Sequence, residues 1–278
     1  MKAATLALHF SAERERTSLR VLRQDPPWRA LRAFHNCSGE ALVHLHNVSG
    51  GVLAGDQLKL EVSLAPHAQA QITNVGATRV YRHRPGEPDA RHSTFCEVGT
   101  DALLEYLPDA VIPFAASRYA QCTEIRLSQD AGLIWWETIS PGRVAHGESF
   151  EFENYSVNTA IHSPAGPIAL ERYSLSPQLQ DIGSPARMGR FQYSATMYVC
   201  RVDASSRWLA LERELNEQAL VLSGPDAHWG ASSLTCHGVV VRGMARHAHQ
   251  ISQGLHVLWQ AAKQSVWGRD ALPPRKVY

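Results

Sequence analysis

This chain lacks the marks of the common catalytic machineries. No G-x-S-x-G elbow occurs, and none of its serines sits in a strand–turn–helix context with a histidine and an acid, which excludes the usual serine hydrolase. The glycine-rich stretch GGVLAGD (50–56) has neither the lysine nor the hydroxyl of a phosphate-binding loop, and it leads into strand-like sequence rather than a helix. Nucleotide binding by this chain is therefore excluded. Cysteine is sparse: five residues, Cys37, Cys96, Cys122, Cys200 and Cys236, an odd number with no C-x-x-C. Neither a disulfide framework nor a zinc ribbon is indicated, and a reducing, cytoplasmic setting fits. The net charge is only +1, so no basic excess addresses nucleic acid and no acidic tail stores cations. No apolar run approaches the ~20 residues of a membrane helix, and no apolar run follows a basic start as in a secretory signal. Internal repeats and low-complexity segments are absent too.

What is present is a sequence of strands. Of its 278 residues 44% are apolar, enough for a sizeable core in one domain. Residues 1–40 read as a mixed, charged lead-in broken by Pro26 and Pro27. Residues 41–205 read as mainly β. Leu58, Leu60, Val62 and Leu64 alternate with Gln57, Lys59, Glu61 and Ser63, the period of a strand buried on one face. Pro66 and His67 turn the chain into a second extended run, 68–74. Further runs follow at 91–98, 102–107, 123–128, 133–138, 149–157, 168–175 and 195–202, separated by Gly, Pro, Asn and Asp. Residues 206–270 carry two helical stripes. Trp208, Leu211, Leu215, Ala219 and Leu222 form the first, with Ser205 or Ser206 as cap and Gly224-Pro225 as stop. Leu255, Leu258, Trp259, Ala262 and Val266 form the second, with Ser252 as cap and Gly268 as stop. One of Trp259 and Trp267 is a candidate for an interface. Residues 183–190 (GSPARMGR) read as an ordinary exposed connection.

Fourteen histidines are many for this length. His44 and His46 leave one face of a strand, His247 and His249 repeat the spacing, and Cys236 adjoins His237. Imidazole and thiolate suit nickel or zinc, but a fixed site needs three or four converging ligands and no H-E-x-x-H occurs. The acids are more informative. Asp56 follows the glycine turn. Glu137 lies in the apolar run LIWWETI and shares a face with Leu133 and Trp135; Glu171 shares one with Ala169 and Tyr173. Such an acid either lines a wet interior or is salt-bridged, for instance to Arg118, Arg143 or Arg172. In the block 135–148, Pro141-Gly142 and Gly147 mark bends, and Arg143 and Glu148 are placed to pair across a hairpin.

Residues 47–82 join these features in a specific order: a turn with Gly50, Gly51 and Gly55, then Asp56, strand, turn, strand, and GATRVYR with Thr78, Arg79 and Tyr81. This order resembles the UreD (UreH) family of urease accessory proteins. YLPDAVIPFAASR (106–118), WWETISPGRVAHGE (135–148), LERYSL (170–175) and VVVR (239–242) extend the resemblance over most of residues 42–270. Arg79 stands where the family usually has lysine, and the chain ends in PPRKVY where many members place a large aromatic after Pro-Arg.

The resemblance implies stacked, helically wound β-sheets in one domain with about two helices towards the C-terminus. It implies no enzyme and no tightly bound cofactor. The expected role is a scaffold that joins a UreF-like helical protein and a UreG-like GTPase on the urease apoprotein, with nickel in transit through an internal polar passage. Asp56, Thr78, Glu137 and Glu171 fall at or near positions attributed to that passage, while Gly50, Gly51, Gly55, Arg79, Tyr81, Arg143, Gly147 and Glu148 belong to the family's structural motifs. Two other readings are a mainly β ligand binder or enzyme with a polar cavity around Asp56, and a histidine-based metal buffer.

Overall fold

The computed structural model describes residues 3–274 except Glu15, Cys37 and Ala204, so the expectations for Cys37 and for the last residues of PPRKVY lie outside the described residues. The expected lead-in is itself β. It forms β1 (Ala4–Glu13), β2 (Arg16–Gln24), β3 (Trp28–Ala30) and β4 (Phe34–His35). Leu6, Leu8 and Phe10 alternate inward and are buried, which ties β1 into the core. β2 carries Arg16, Arg20 and Arg23 because it is an edge strand, where charge blunts pairing with other chains. Charge on the edge is what made this segment read as a lead-in.

The chain then winds. β5 (Ala41–Asn47), β7 (Gln69–Asn74), β10 (Leu103–Tyr106) and β13 (Gly132–Ile139) stack in parallel in one sheet. β6 (Gln57–Leu64), β9 (Ala90–Val98), β12 (Arg118–Leu127) and β14 (Asn154–Ser163) stack in parallel in the other. Each turn of chain lays one strand in either sheet, the helical winding expected. β8 (Thr78–Val80) and β11 (Val111–Pro113) pair with each other at one margin. Antiparallel strands close the ends: β15 (Gly166–Leu175) on β14, and β16 (Tyr193–Arg201) on β13, followed by β18 (Gly238–Ala245) and β17 (Ala227–Ser233). The strand expected at 149–157 begins only at Asn154. Phe150 takes a positive φ of 56°, Phe152 plugs the core, and the N–H groups of Glu153 and Asn154 both bond to Ser117 O instead of a ladder.

Helix α1 (Trp208–Leu222) has the expected bounds, and Trp208, Leu211, Leu215 and Ala219 are buried. Its flanking residue is Arg207, whose N–H bonds to Ser205 Oγ at 3.2 Å; neither serine is the cap. Helix α2 (Ala248–Trp267) starts earlier than expected, because the Gln250 side chain accepts the His247 N–H at 3.1 Å and secures the first turn. Ser252 lies inside the helix with its hydroxyl on Ala248 O. Gly268, at φ 62°, ends it in the left-handed conformation a glycine stop provides.

One core fills the space between the sheets. A second lies between the outer face of the larger sheet and the two helices, where Met197, Val199 and Val241 meet Leu211, Leu215, Leu258 and Trp259. Trp259 is fully buried in it and is not spare for an interface, whereas Trp267, which packs against this core and on Gly132, is only half-buried. The 183–190 connection is exposed but pinned by buried Met188. Among the described residues no helix is long and apolar enough to cross a membrane.

Candidate functional site

The alternation of β13 sends Leu133, Trp135 and Glu137 between the sheets. Glu137 Oε1 accepts three hydrogen bonds there, from Gln121 Nε2 at 3.0 Å, Trp135 Nε1 at 3.1 Å and Thr159 Oγ1 at 3.1 Å. Gln121 and Thr159 come from β12 and β14, so both sheets hold one carboxylate. No ion pair reaches it among the described residues. Arg118 pairs instead with Glu153 and Asp89, and Arg143 with Glu148. Burial pushes the Glu137 carboxyl above the usual range; the three donors work against this, and the charge of Glu171 adds to it.

Glu137 lines a small internal cavity of about 30 Å³ with Asn74, Thr78, His92, Tyr119 and Tyr155. That is room for about one water. Tyr119 Oη and His92 Nε2 are sealed from solvent without hydrogen-bond partners. Polar groups left in this way imply an occupant for the cavity, since each unpaired group costs about 1–3 kcal/mol. Burial pushes the His92 pKa down to about 4, so the ring is neutral at physiological pH.

Asn74, Thr78 and His92 also line a cavity of about 350 Å³ that opens at the surface beside Val48, Val75 and Gly76. Thr78 thus stands at the junction of the two. The Tyr155 ring, which lines the inner cavity, lies 6.2 Å from that of Tyr173. Tyr173 and Glu171 face a third cavity of about 610 Å³, with Arg242 and Trp229. Glu171 is salt-bridged, as one of its two readings had it, but by Arg242 at 2.6 Å, and it also accepts the Tyr198 hydroxyl. Thr78 therefore lines two adjoining cavities, Glu137 the inner of these, and Glu171 a separate third.

Asp56 is the exception. Its Oδ2 accepts the Leu53 N–H at 2.8 Å and closes the turn before β6, and it lines none of these three cavities. Tyr81 explains Gly51. A Cβ on Gly51 would lie 2.4 Å from that ring and 2.7 Å from Arg79 O. Gly50 and Gly55 have φ of 80° and 82°. Arg79 contributes its carbonyl to the Val52 N–H at 2.7 Å, while its side chain is exposed. Arg143 and Glu148 pair as expected, with Nε to Oε2 at 2.8 Å; Arg143 covers the Phe114 ring and Gly147 takes φ 81°. The Arg143 hydrogen bond holds the Glu148 carboxyl below the usual range. Of these motif residues Gly50, Gly51 and Arg79 line the surface-opening cavity, and the others line none of the three.

Among the described residues no group of three or more His, Cys, Asp and Glu is placed to hold a metal ion. His44 meets Phe34 edge-on, and the His247 and His249 rings stack at 5.7 Å at the start of α2. Burial pushes the Cys96 and Cys200 thiols up, away from the thiolate a metal would need. Sequence reasoning missed His92. The signal was there: Ala90, His92, Thr94, Cys96 and Val98 share the inward face of β9. It also missed a buried ion network joining Lys263 to Glu105 and Glu40.

The sequence profile of the family described as "UreD urease accessory protein" matches residues 2–278. A protein of Herpetosiphon aurantiacus named Urease accessory protein UreD is 41% identical over 277 residues, 98% of this chain and 96% of that protein. Proteins with the same name from Cenarchaeum symbiosum and Lysinibacillus sphaericus are 31% and 28% identical, over 74% and 70% of this chain and 73% and 72% of their own lengths.

Proposed function

Because this chain belongs to the UreD family of urease accessory proteins, we propose that it matures urease as a non-catalytic cytoplasmic scaffold through which nickel, its cargo, passes. On this reading it works with a UreF-like helical protein, a UreG-like GTPase and the urease apoprotein. Glu137 carries the proposal: a carboxylate between two sheets, held by three donors and by no counter-cation among the described residues, in a gap that adjoins a larger, surface-opening cavity. A buried carboxylate without a cation is a place where a divalent ion restores lost electrostatic stabilisation. Thr78 and Asn74 add oxygens to the same gap, and Glu171 lines a further cavity. Stations of this kind are weak and separate, which suits an ion that must enter and leave. A closed cage of three or four ligands would retain nickel instead.

Glu137→Gln tests this. The amide oxygen can still accept the bonds from Trp135, Thr159 and Gln121, so folding and co-purification of the helical partner should persist. Urease activation at limiting nickel should fall. Unchanged activation would remove Glu137 from the path, and loss of the complex would assign it a folding role.

A further inference from the structure

We propose that His92 is a nitrogen station between the two cavities, one that makes the passage select nickel and similar late transition ions over magnesium and calcium. This rests on the passage reading above. The position of the residue is the first argument. His92 pairs with Leu58 of β6 and Gln121 of β12, which turns its ring inward against Trp28, centroid to centroid 5.5 Å. It lines both the surface-opening cavity and the inner gap that holds Glu137. Whatever moves from one to the other passes this ring.

The second argument is its missing partner. Nε2 is sealed from solvent and has no hydrogen-bond partner among the described residues. A neutral imidazole offers one N–H and one lone pair, and protein interiors seldom leave a buried ring nitrogen unused. The surroundings keep the ring in that neutral form, so the lone pair is available at neutral pH. Histidine χ2 is a broad torsion, so a modest turn presents a nitrogen to either cavity.

The third argument is chemical. The other polar groups of the gap, among them Glu137, Asp109, Thr78, Asn74 and Thr94, offer oxygen, with amide and hydroxyl groups that do not discriminate among divalent ions. Oxygen ligands accept magnesium and calcium readily, whereas imidazole favours nickel, copper and zinc. One nitrogen among scattered oxygens gives preference without a trap.

The experiment uses the full chain labelled with ¹⁵N-histidine. The His92 ring signals are identified by their loss in His92→Gln. Substoichiometric Ni²⁺ should broaden them, and millimolar Mg²⁺ should leave them sharp. In reconstituted activation with excess Mg²⁺, His92→Leu should slow urease activation about tenfold, the lower end of what loss of even an outer-sphere partner costs a metal site. Melting temperature and partner binding confirm that the variant is intact. If it does not fold, the signals of the native chain decide alone. His92 signals that stay sharp while other histidines broaden would overturn the inference. So would a folded His92→Leu that activates normally in Mg²⁺. If Glu137→Gln impairs activation while His92→Leu does not, the passage stands and the selectivity station falls. If neither impairs it, the passage reading itself fails.

Discussion

Replacing Lys263 by methionine should unfasten α2 from the sheet. Lys263 is fully buried, with Nζ 2.7 Å from Glu105 Oε2 and 3.3 Å from Glu40 Oε2. Trp259 Nε1 donates to the other oxygen of Glu105 at 2.6 Å. Burial raises the Glu105 carboxyl above the usual range, and Lys263 is the main influence opposing that. Methionine fills much of the lysine's space but leaves two carboxylates facing each other out of water. Removing one partner of a buried pair costs about 3–5 kcal/mol. For a chain of this size that lowers the melting temperature by roughly 10 °C. The charge origin of the loss can be separated from packing with Lys263→Met/Glu105→Gln. Glutamine still accepts the Trp259 N–H, and Glu40 keeps Asn36 at 2.6 Å and Arg269 at 3.7 Å. The double variant should recover more than half of the loss. Urea unfolding at pH 7 measures both. A single variant that loses less than about 1 kcal/mol would mean that water reaches the network. A double variant no better than the single would make the loss one of packing, and the electrostatic account would be wrong.

Two further outcomes are expected. The unfolded His92 ring takes its proton near pH 6.5, whereas the folded ring stays neutral down to about pH 4. Stability should therefore fall as pH drops through that window, by about 2 kcal/mol at pH 5 (about 1.5 pH units at about 1.36 kcal/mol each). Glu137, with its raised pKa, contributes in the opposite sense, losing stability as pH rises from its unfolded value. The measurement is thus the difference between the pH–stability curves of wild type and His92→Leu; parallel curves would show a ring already protonated or solvated in the fold. Gly51→Ala places a methyl against Tyr81 and the Arg79 carbonyl and should cost about 1–3 kcal/mol. Gly76→Ala, with nothing within 4 Å and no positive φ, is the control and should stay within about 0.5 kcal/mol in urea unfolding.

The sequence by itself determined what depends on near neighbours. Alternation placed Leu58, Leu60, Val62 and Leu64 on a buried face, and helical spacing bounded α1 at Trp208 and Leu222. Arg143 and Glu148, five residues apart, pair as expected, though across a 3-10 turn (Val144–His146) and not a hairpin. Alternation also turned Glu137 inward with Trp135, because a strand's period fixes which face a side chain leaves. It does not say what waits on that face. Gln121 and Thr159 reach Glu137 from 16 and 22 residues away only because winding sets β12 and β14 in the opposite sheet. Arg242 meets Glu171 across 71 residues, and Lys263 meets Glu40 across 223. The same distance hid His92, whose significance lies in two cavities that no local pattern encodes. Asp56 shows the converse: beside its glycines it looked available, yet the turn it closes takes its carboxylate back onto Leu53. The lead-in became strands for a related reason, since β1 finds its parallel partner in β6, whose paired residues start at Leu58, more than fifty positions along the chain. Periodicity is a property of the chain, but convergence of side chains is set by the register between strands, and that register exists only in the folded sheets.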